Sequence, residues 1–226
     1  MARSLKKLIA AVFCLVLLFE LSSCAVNTKS AEQTGFSMGS LVGIKLYGKN
    51  SEALENANLL AEVVKTDERI SKNYEGSDIY RVNSSGEHGE TVSYKTYDEL
   101  RTVCDVYSDS HGKAAVLSGA LTELWGFDTD EFRLPSEDEI LSAKEKCGDD
   151  KLIFDDGKKV YIPDGAKLNL GSAGKGIALD EAVKRIDEIN SQGGKITGAV
   201  ISVGGSVATY GLPKKSKSWN VGIRDP

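Results

Sequence analysis

From residue 36 to 47 the side chains alternate: Val42, Ile44 and Leu46 fall on one side, and Gly43, Lys45 and Tyr47 on the other. That period of two predicts a strand, turned by Gly48-Lys49-Asn50. The period then changes. Ala53, Ala57, Leu60 and Val64 recur at helical spacing, with Leu59, Val63 and Ile70 widening the stripe, so a helix is expected over 51–70 purely as core packing. The polar stretch 71–90 reads as a loop, and function is expected there rather than on the helix. A second amphipathic helix is expected near 96–108, with Leu100, Val103, Cys104 and Tyr107 inward. In Pro135-Ser136-Glu137-Asp138-Glu139, Ser and Glu stand three apart, the capping-box spacing at which each side chain satisfies the other residue's free backbone N–H. A third helix therefore starts there and runs to about residue 146. Short strands at 152–154, 160–162 and 167–170, a helix over 174–190, and strands at 199–203, 207–210 and 219–223 complete the pattern. Strands and helices are mixed without regular alternation, which predicts an α+β fold of mixed sheets with packed helices, not a doubly wound parallel sheet.

The amino terminus is of another kind. Arg3, Lys6 and Lys7 precede an apolar run over 8–19 that is too short to span a bilayer comfortably, which reads as a secretion signal. Leu21-Ser22-Ser23-Cys24 has the apolar-small-small-Cys order of a bacterial lipoprotein processing site. Residues 1–23 are thus expected to be a removed leader, Cys24 the lipidated (palmitate-bearing) mature terminus, 24–35 a polar tether, and 36–226 the folded domain. A plain signal peptide with an incidental Cys, or an uncleaved anchor helped by Leu17 and Leu18, are the alternatives; Glu20 is an unusual charge so near the cleavage point. The expected location is the extracytoplasmic face of a bacterial membrane.

Composition narrows the function classes. With 28 Lys+Arg against 33 Asp+Glu, 41% hydrophobic and 27% charged residues among 226, the chain is of ordinary globular composition. The net charge of −5 falls to −7 once the leader's three positive and one negative charges are gone, and no basic cluster offers a face for phosphate backbones, so nucleic acid is excluded as a partner. Four Cys make no disulfide framework. Cys14 leaves with the leader, and Cys104 and Cys147 are either bridged in an oxidising compartment or buried and reduced. Because the chain stops just past a predicted strand, it is expected to be the front part of a longer protein.

Asn169-Leu170-Gly171-Ser172-Ala173-Gly174-Lys175-Gly176 leads from a predicted strand through a Gly-rich turn into a helix. Backbone N–H groups can approach an anion closely in such a turn, the helix start adds partial positive charge, and Lys175 adds a full one, so phosphate is the natural ligand. It is neither a Walker loop, since Gly176 stands where the Ser/Thr belongs, nor a dinucleotide fingerprint, since its spacing is G-x-x-G-x-G. A plain strand-to-helix turn with a solvated Lys is the alternative.

Read with four other segments, the turn acquires a context. Phe36-Ser37-Met38-Gly39-Ser40, Ser77-Asp78-Ile79-Tyr80-Arg81-Val82-Asn83, Leu121-Thr122-Glu123-Leu124-Trp125-Gly126-Phe127, and Val203-Gly204-Gly205-Ser206 with the terminal Trp219 to Pro226 follow in order. From about Phe36 to its last residue the chain resembles the FAD:protein FMN transferases, the ApbE-like flavinyltransferase lipoproteins. The resemblance implies a T-fold-related architecture, FAD as substrate, and Mg2+-assisted cleavage of its pyrophosphate. FMN would pass to a Thr or Ser hydroxyl of an acceptor subunit of a membrane redox complex, with AMP released. It implies that Met38 packs on the flavin, that Tyr74 (or Asn73, one residue of register away) supplies a contact near Ser71, and that Asn169 and Lys175 bind the cofactor. Ser172 would give Mg2+ an oxygen. Lys113, Ala114 and Ala115 stand in a flavin-contacting segment where the family usually has Gly-Ala-Phe-Asp, so an aromatic ring and a carboxylate are lost. The family's His-x-x-Asp-Pro segment and downstream metal ligands would lie beyond Pro226, and His88 and His111 do not match them. Trp125 and Trp219 are expected in the core, and Gly204 and Gly205 where backbones pack closely. A noncatalytic flavin-binding lipoprotein and a surface lipoprotein unrelated to flavin are the competing readings.

Overall fold

The computed structural model describes residues 28–50, 54, 57–127, 129, 131–212 and 218–222. The expected leader, Cys24, part of the first expected helix and the last four residues lie outside them.

The expected strand over 36–47 is two strands. β1 (Lys29–Ser37) and β2 (Ser40–Gly48) pair antiparallel from Lys29↔Gly48 to Ser37↔Ser40. Met38 and Gly39 form the two-residue turn, at φ 52° and 65°. Left-handed residues at both positions give the turn a twist that matches the strands it joins. Residues 29–35 of the expected tether are therefore sheet. Their inward positions, Ala31, Gln33 and Gly35, are small or polar and gave no apolar alternation. At Gly35 the reason is steric, since a Cβ there would stand 2.7 Å from Cδ2 of Leu60.

β6 (Ile196–Val203) pairs with β2, placing Ile201 beside Ile44 and Ala199 beside Leu46, and returns through Gly204-Gly205 into β7 (Ser206–Gly211). The sheet order is β1-β2-β6-β7, antiparallel throughout. Two helices cover its inner face: α1 (Leu59–Ile70) and, after the Gly-rich turn, α6 (Gly174–Ser191). The buried stripe of α1 is Leu59, Val63, Thr66 and Ile70, and α6 sets Ala178, Ala182 and Ile186 against Val42, Ile44, Leu46 and Ile201. Each large side chain buried there contributes roughly 1.5–3 kcal/mol relative to exposure. On the outer face Trp219 lies 6.0 Å from the Tyr47 ring and donates from Nε1 to the Gly211 carbonyl at 2.8 Å. Residues 219–222 thus do not form the expected strand, and Trp219, half-buried, is not core; Gly198 beneath it has no side chain to lift the indole.

A second core lies between α2 (Asp78–Ser85), α3 (Tyr94–Asp109) and a small sheet in the order β3-β5-β4, built from β3 (Glu90–Thr91), β4 (Ile153–Phe154) and β5 (Lys159–Tyr161). Ile79, Val82, Leu100, Val160 and Leu168 fill it. The expected loop over 71–90 therefore contains a helix. Ser77 Oγ accepts from the Tyr80 N–H at 2.9 Å, and the buried Asp78 carboxylate accepts from Ser93 N–H, Ser93 Oγ and Thr96 Oγ1 at 3.1, 2.6 and 2.6 Å. Burial works against its charge, but those hydroxyls and the Arg81 guanidinium hold the carboxyl below its ordinary range. In α3 only Leu100 of the expected inward set is buried; Val103, Cys104 and Tyr107 are half-buried. Cys104 and Cys147 are both free thiols, and burial, with the Asp149 carboxylate, pushes Cys104 up to about 11.

α4 (Gly119–Trp125) holds the Leu-Thr-Glu-Leu-Trp residues, and Trp125, half-buried, stacks at 4° on exposed Phe127 instead of entering the core. α5 (Glu137–Lys144) begins with the expected capping box. Residues 167–170 are not a ladder strand. The Asn83 side chain pairs with both backbone groups of Leu168, accepting at 2.7 Å and donating at 2.9 Å, and Asn169 N–H donates to the Val116 carbonyl.

Candidate functional site

The two cores meet at Met38, which packs against both. Beside it opens a cleft of about 190 Å³, bounded by the Met38 turn, by Asp67, Ile70, Ser71, Lys72 and Asn73 at the end of α1, and by Asn169, Leu170, Gly171, Gly174 and Lys175 at the start of α6. Met38 reaches over the helix start, its Cε 3.9 Å from where a Cβ on Gly174 would stand.

The start of α6 is electrostatically unusual. Asn169 caps a 3-10 turn (Leu170–Ser172) by accepting from Gly171 N–H at 2.9 Å, but the α-helix that follows has no side-chain cap and no acidic residue in its first turn. Its free N–H groups and dipole favour an anion. Instead of an acid, the first turn carries Lys175. Among the described residues Lys175 has no hydrogen bond or ion pair. Its Nζ occupies the space beside Gly204, 2.9 Å from where a Cβ would be, with Ser40 on the other side. Gly204, at φ 59°, takes a backbone conformation that favours glycine, and it leaves room for the ammonium beside it.

The ApbE family profile matches residues 38–226, beginning at the turn methionine itself. The chain belongs to the ApbE family. A FAD:protein FMN transferase of Haemophilus influenzae is 20% identical over 242 residues, covering 98% of this chain and 66% of its own. One from Klebsiella pneumoniae is 26% identical over 202 residues, covering 85% and 56%. Among solved structures, the ApbE protein of Thermotoga maritima superposes with TM-score 0.78 at 26% identity, over 87% of this chain and 64% of that one. The apo flavinyl transferase ApbE of Pseudomonas stutzeri gives 0.74 at 23% identity, over 87% and 62%. The α+β fold is therefore that of the ApbE family, and the chain spans between about half and two thirds of the length of these relatives.

Of the residues expected from the family resemblance, Met38, Asn169 and Lys175 come together in the cleft. Tyr74 does not: its exposed ring lies over Gly76, and Asn73 lines the cleft in its place. The Asn169 amide accepts from Gly171 N–H and donates one N–H to Thr122 Oγ1 at 3.0 Å, so it shapes the turn. Ser172 is exposed on the 3-10 turn, outside the cleft lining. Lys113 and Ala114 are exposed and Ala115 half-buried in the connection between α3 and α4, and none of them lines the cleft. That connection adjoins the site from behind, because Val116 accepts the Asn169 N–H. It is fixed there by the buried Asp149 carboxylate, which accepts from Val116 and Leu117 N–H at 2.9 and 2.6 Å. The α1 contribution was not expected at all. The sequence marks Asp67 only as one of two adjacent acids, with Glu68, in the last turn, where the dipole disfavours them.

A larger groove, about 680 Å³, runs between α1, α3 and α6. Several of its charges are paired: the buried Glu181 with Lys95 and Lys184, and Arg185 with Glu188.

Proposed function

We propose that the protein is a FAD:protein FMN transferase. The observation that carries this reading is the uncapped start of α6 with its unpaired Lys175, set beside Met38 in one cleft. In this reading the first-turn N–H groups and Lys175 take the pyrophosphate, while Met38 and Ile70 offer an apolar flank to the ring system. The hydroxyl oxygen of an acceptor Thr or Ser attacks the FMN-side phosphorus, the bond from that phosphorus to the bridging oxygen breaks, AMP leaves with the bridging oxygen, and the hydroxyl proton passes to the departing phosphate or to solvent. Lys175 stabilises the charge that gathers on the phosphate oxygens.

The proposal includes Mg2+, which when bound would supply further neutralisation of the pyrophosphate. Ser172 is the residue assigned to it. One exposed hydroxyl is not a magnesium site, and among the described residues no three carboxylate, imidazole or thiolate ligands cluster. The proposal also includes lipid attachment at Cys24 on the extracytoplasmic face, and an acceptor subunit in a membrane redox complex; Cys24→Ala should release the protein from the membrane fraction.

A noncatalytic flavin carrier is the second reading, favoured by Ala115 in place of a carboxylate and by the engaged Asn169 amide. Incubating the full-length protein with FAD, Mg2+ and a threonine-containing acceptor peptide separates the two. Released AMP with an FMN-sized mass gain on the peptide supports the transferase. Bound flavin without AMP supports the carrier, and neither signal removes both.

A further inference from the structure

The Met38 turn is anchored from outside its own hairpin. Asp67, in the last turn of α1, accepts through a single oxygen, Oδ2, both the Met38 N–H at 2.7 Å and the Ser37 hydroxyl at 2.8 Å. Its backbone carbonyl accepts the Ser71 N–H at 2.9 Å, the bond that ends α1 and begins the lip formed by residues 71–73. One residue thus ties together two sides of the cleft, and it lines the cleft itself.

Helix stability does not account for this placement. A carboxylate at a helix carboxyl end opposes the dipole. Met38 meanwhile sits at φ 52°, a conformation that residues with a side chain rarely adopt and that must be held by its surroundings. A hydrogen bond from a backbone N–H to an ionised carboxylate is about twice as strong as one to a neutral acceptor, and it fixes the plane of the peptide that donates it. The peptide so fixed carries the side chain that lies over Gly174 at the start of α6.

We propose that Asp67 is a positioning residue of the flavin site: its carboxylate fixes the Met38 peptide and thereby aims the Met38 side chain across the start of α6. The assignment rests on the transferase reading only in so far as that reading places flavin in this cleft, which the carrier reading shares.

The test is a titration of full-length protein with FAD, followed by flavin fluorescence and by the long-wavelength absorption band of the bound flavin. Asp67→Ala is expected to weaken binding by about tenfold or more and to shift the band. Asp67→Asn keeps a neutral acceptor and should recover most of that loss. Asp78→Ala is the control, since it removes a more deeply buried carboxylate with more hydrogen bonds, at the α2–α3 joint and outside the cleft lining. It should leave affinity within about twofold, the ordinary range for a site not coupled to the ligand. Should Asp67→Ala fail to fold, Asp67→Glu against Asp78→Glu carries the comparison, since the longer side chain keeps the charge but displaces the Met38 peptide, and the same loss and band shift are expected at position 67. Parent-like binding and an unshifted band in the Asp67 variants, or equal losses at Asp67 and Asp78, would overturn the assignment while leaving flavin binding intact. A parent protein that binds no FAD removes the proposed function and this assignment together.

Discussion

α5 and α6 begin in opposite ways. At α5, Ser136 accepts from Glu139 N–H, the Glu139 carboxylate reaches back to Ser136 N–H at 2.8 Å, three acids fill the first turn, and Lys144 stands in the last. Every group answers the dipole and the free N–H groups of the helix itself. α6 has no side-chain cap, no acid, and a lysine where an acid belongs. The first helix start is complete on its own. The second is arranged for something that arrives from outside, and α1 repeats the pattern at its other end, with Asp67 set against the dipole beside the same cleft. Local rules broken twice around one cavity mark that cavity as the candidate site, although the groove between α1, α3 and α6 is larger.

The largest effect expected from this contrast is at Lys175. Lys175→Glu should stabilise the helix start by about 0.3–1 kcal/mol, read as a rise in the unfolding midpoint, because an acid there suits the dipole. The same substitution should weaken FAD binding by roughly 100-fold, since a charge-assisted contact is replaced by repulsion. Gains and losses of opposite sign in one variant are what a site built against local stability requires; a variant that loses both, or neither, would break the comparison.

Ser136→Ala should do the reverse, costing about 1 kcal/mol of stability through the lost cap, without change in FAD affinity. Denaturant unfolding with a parallel flavin titration checks it.

The smallest effect is one of pH. The Arg133 guanidinium and the Ser136 backbone and hydroxyl hold Glu139 down to about 2 from 4.5. A carboxylate depressed on folding contributes stability that is present above its unfolded value and lost as pH falls through its folded one. The stability difference between parent and Glu139→Gln should therefore be constant above about pH 5, shrink below pH 4.5 and vanish near pH 2.

How much of this was readable in advance follows from the range of each signal. The α5 box was legible because its parts lie within four residues. α6 and its Gly-rich approach were legible for the same reason, and so was the suitability of Lys175 for phosphate. The Met38-Gly39 turn was not, because methionine is no turn residue and the apolar alternation of β2 appeared to continue through it. β1 escaped because its inward positions are polar or small, Gly35 yielding its space to Leu60. α2 escaped because a short helix with two large buried side chains, Ile79 and Val82, looks like a polar loop when the partner that buries Asp78 is a separate helix. Asn73 and Tyr74 differ by one residue of register that only the end of α1 fixes. Asp67, read as one more polar position on a packing helix, acquires its role from a hairpin 29 residues away.

The central claim is that the start of α6 takes the phosphate portion of a flavin nucleotide through Lys175. Titrating the parent and Lys175→Ala with FAD and with riboflavin, which has the ring but no phosphate, tests it directly. The parent should prefer FAD, and Lys175→Ala should lose about tenfold of that preference while binding riboflavin as before. An undiminished preference for FAD in Lys175→Ala would contradict the account.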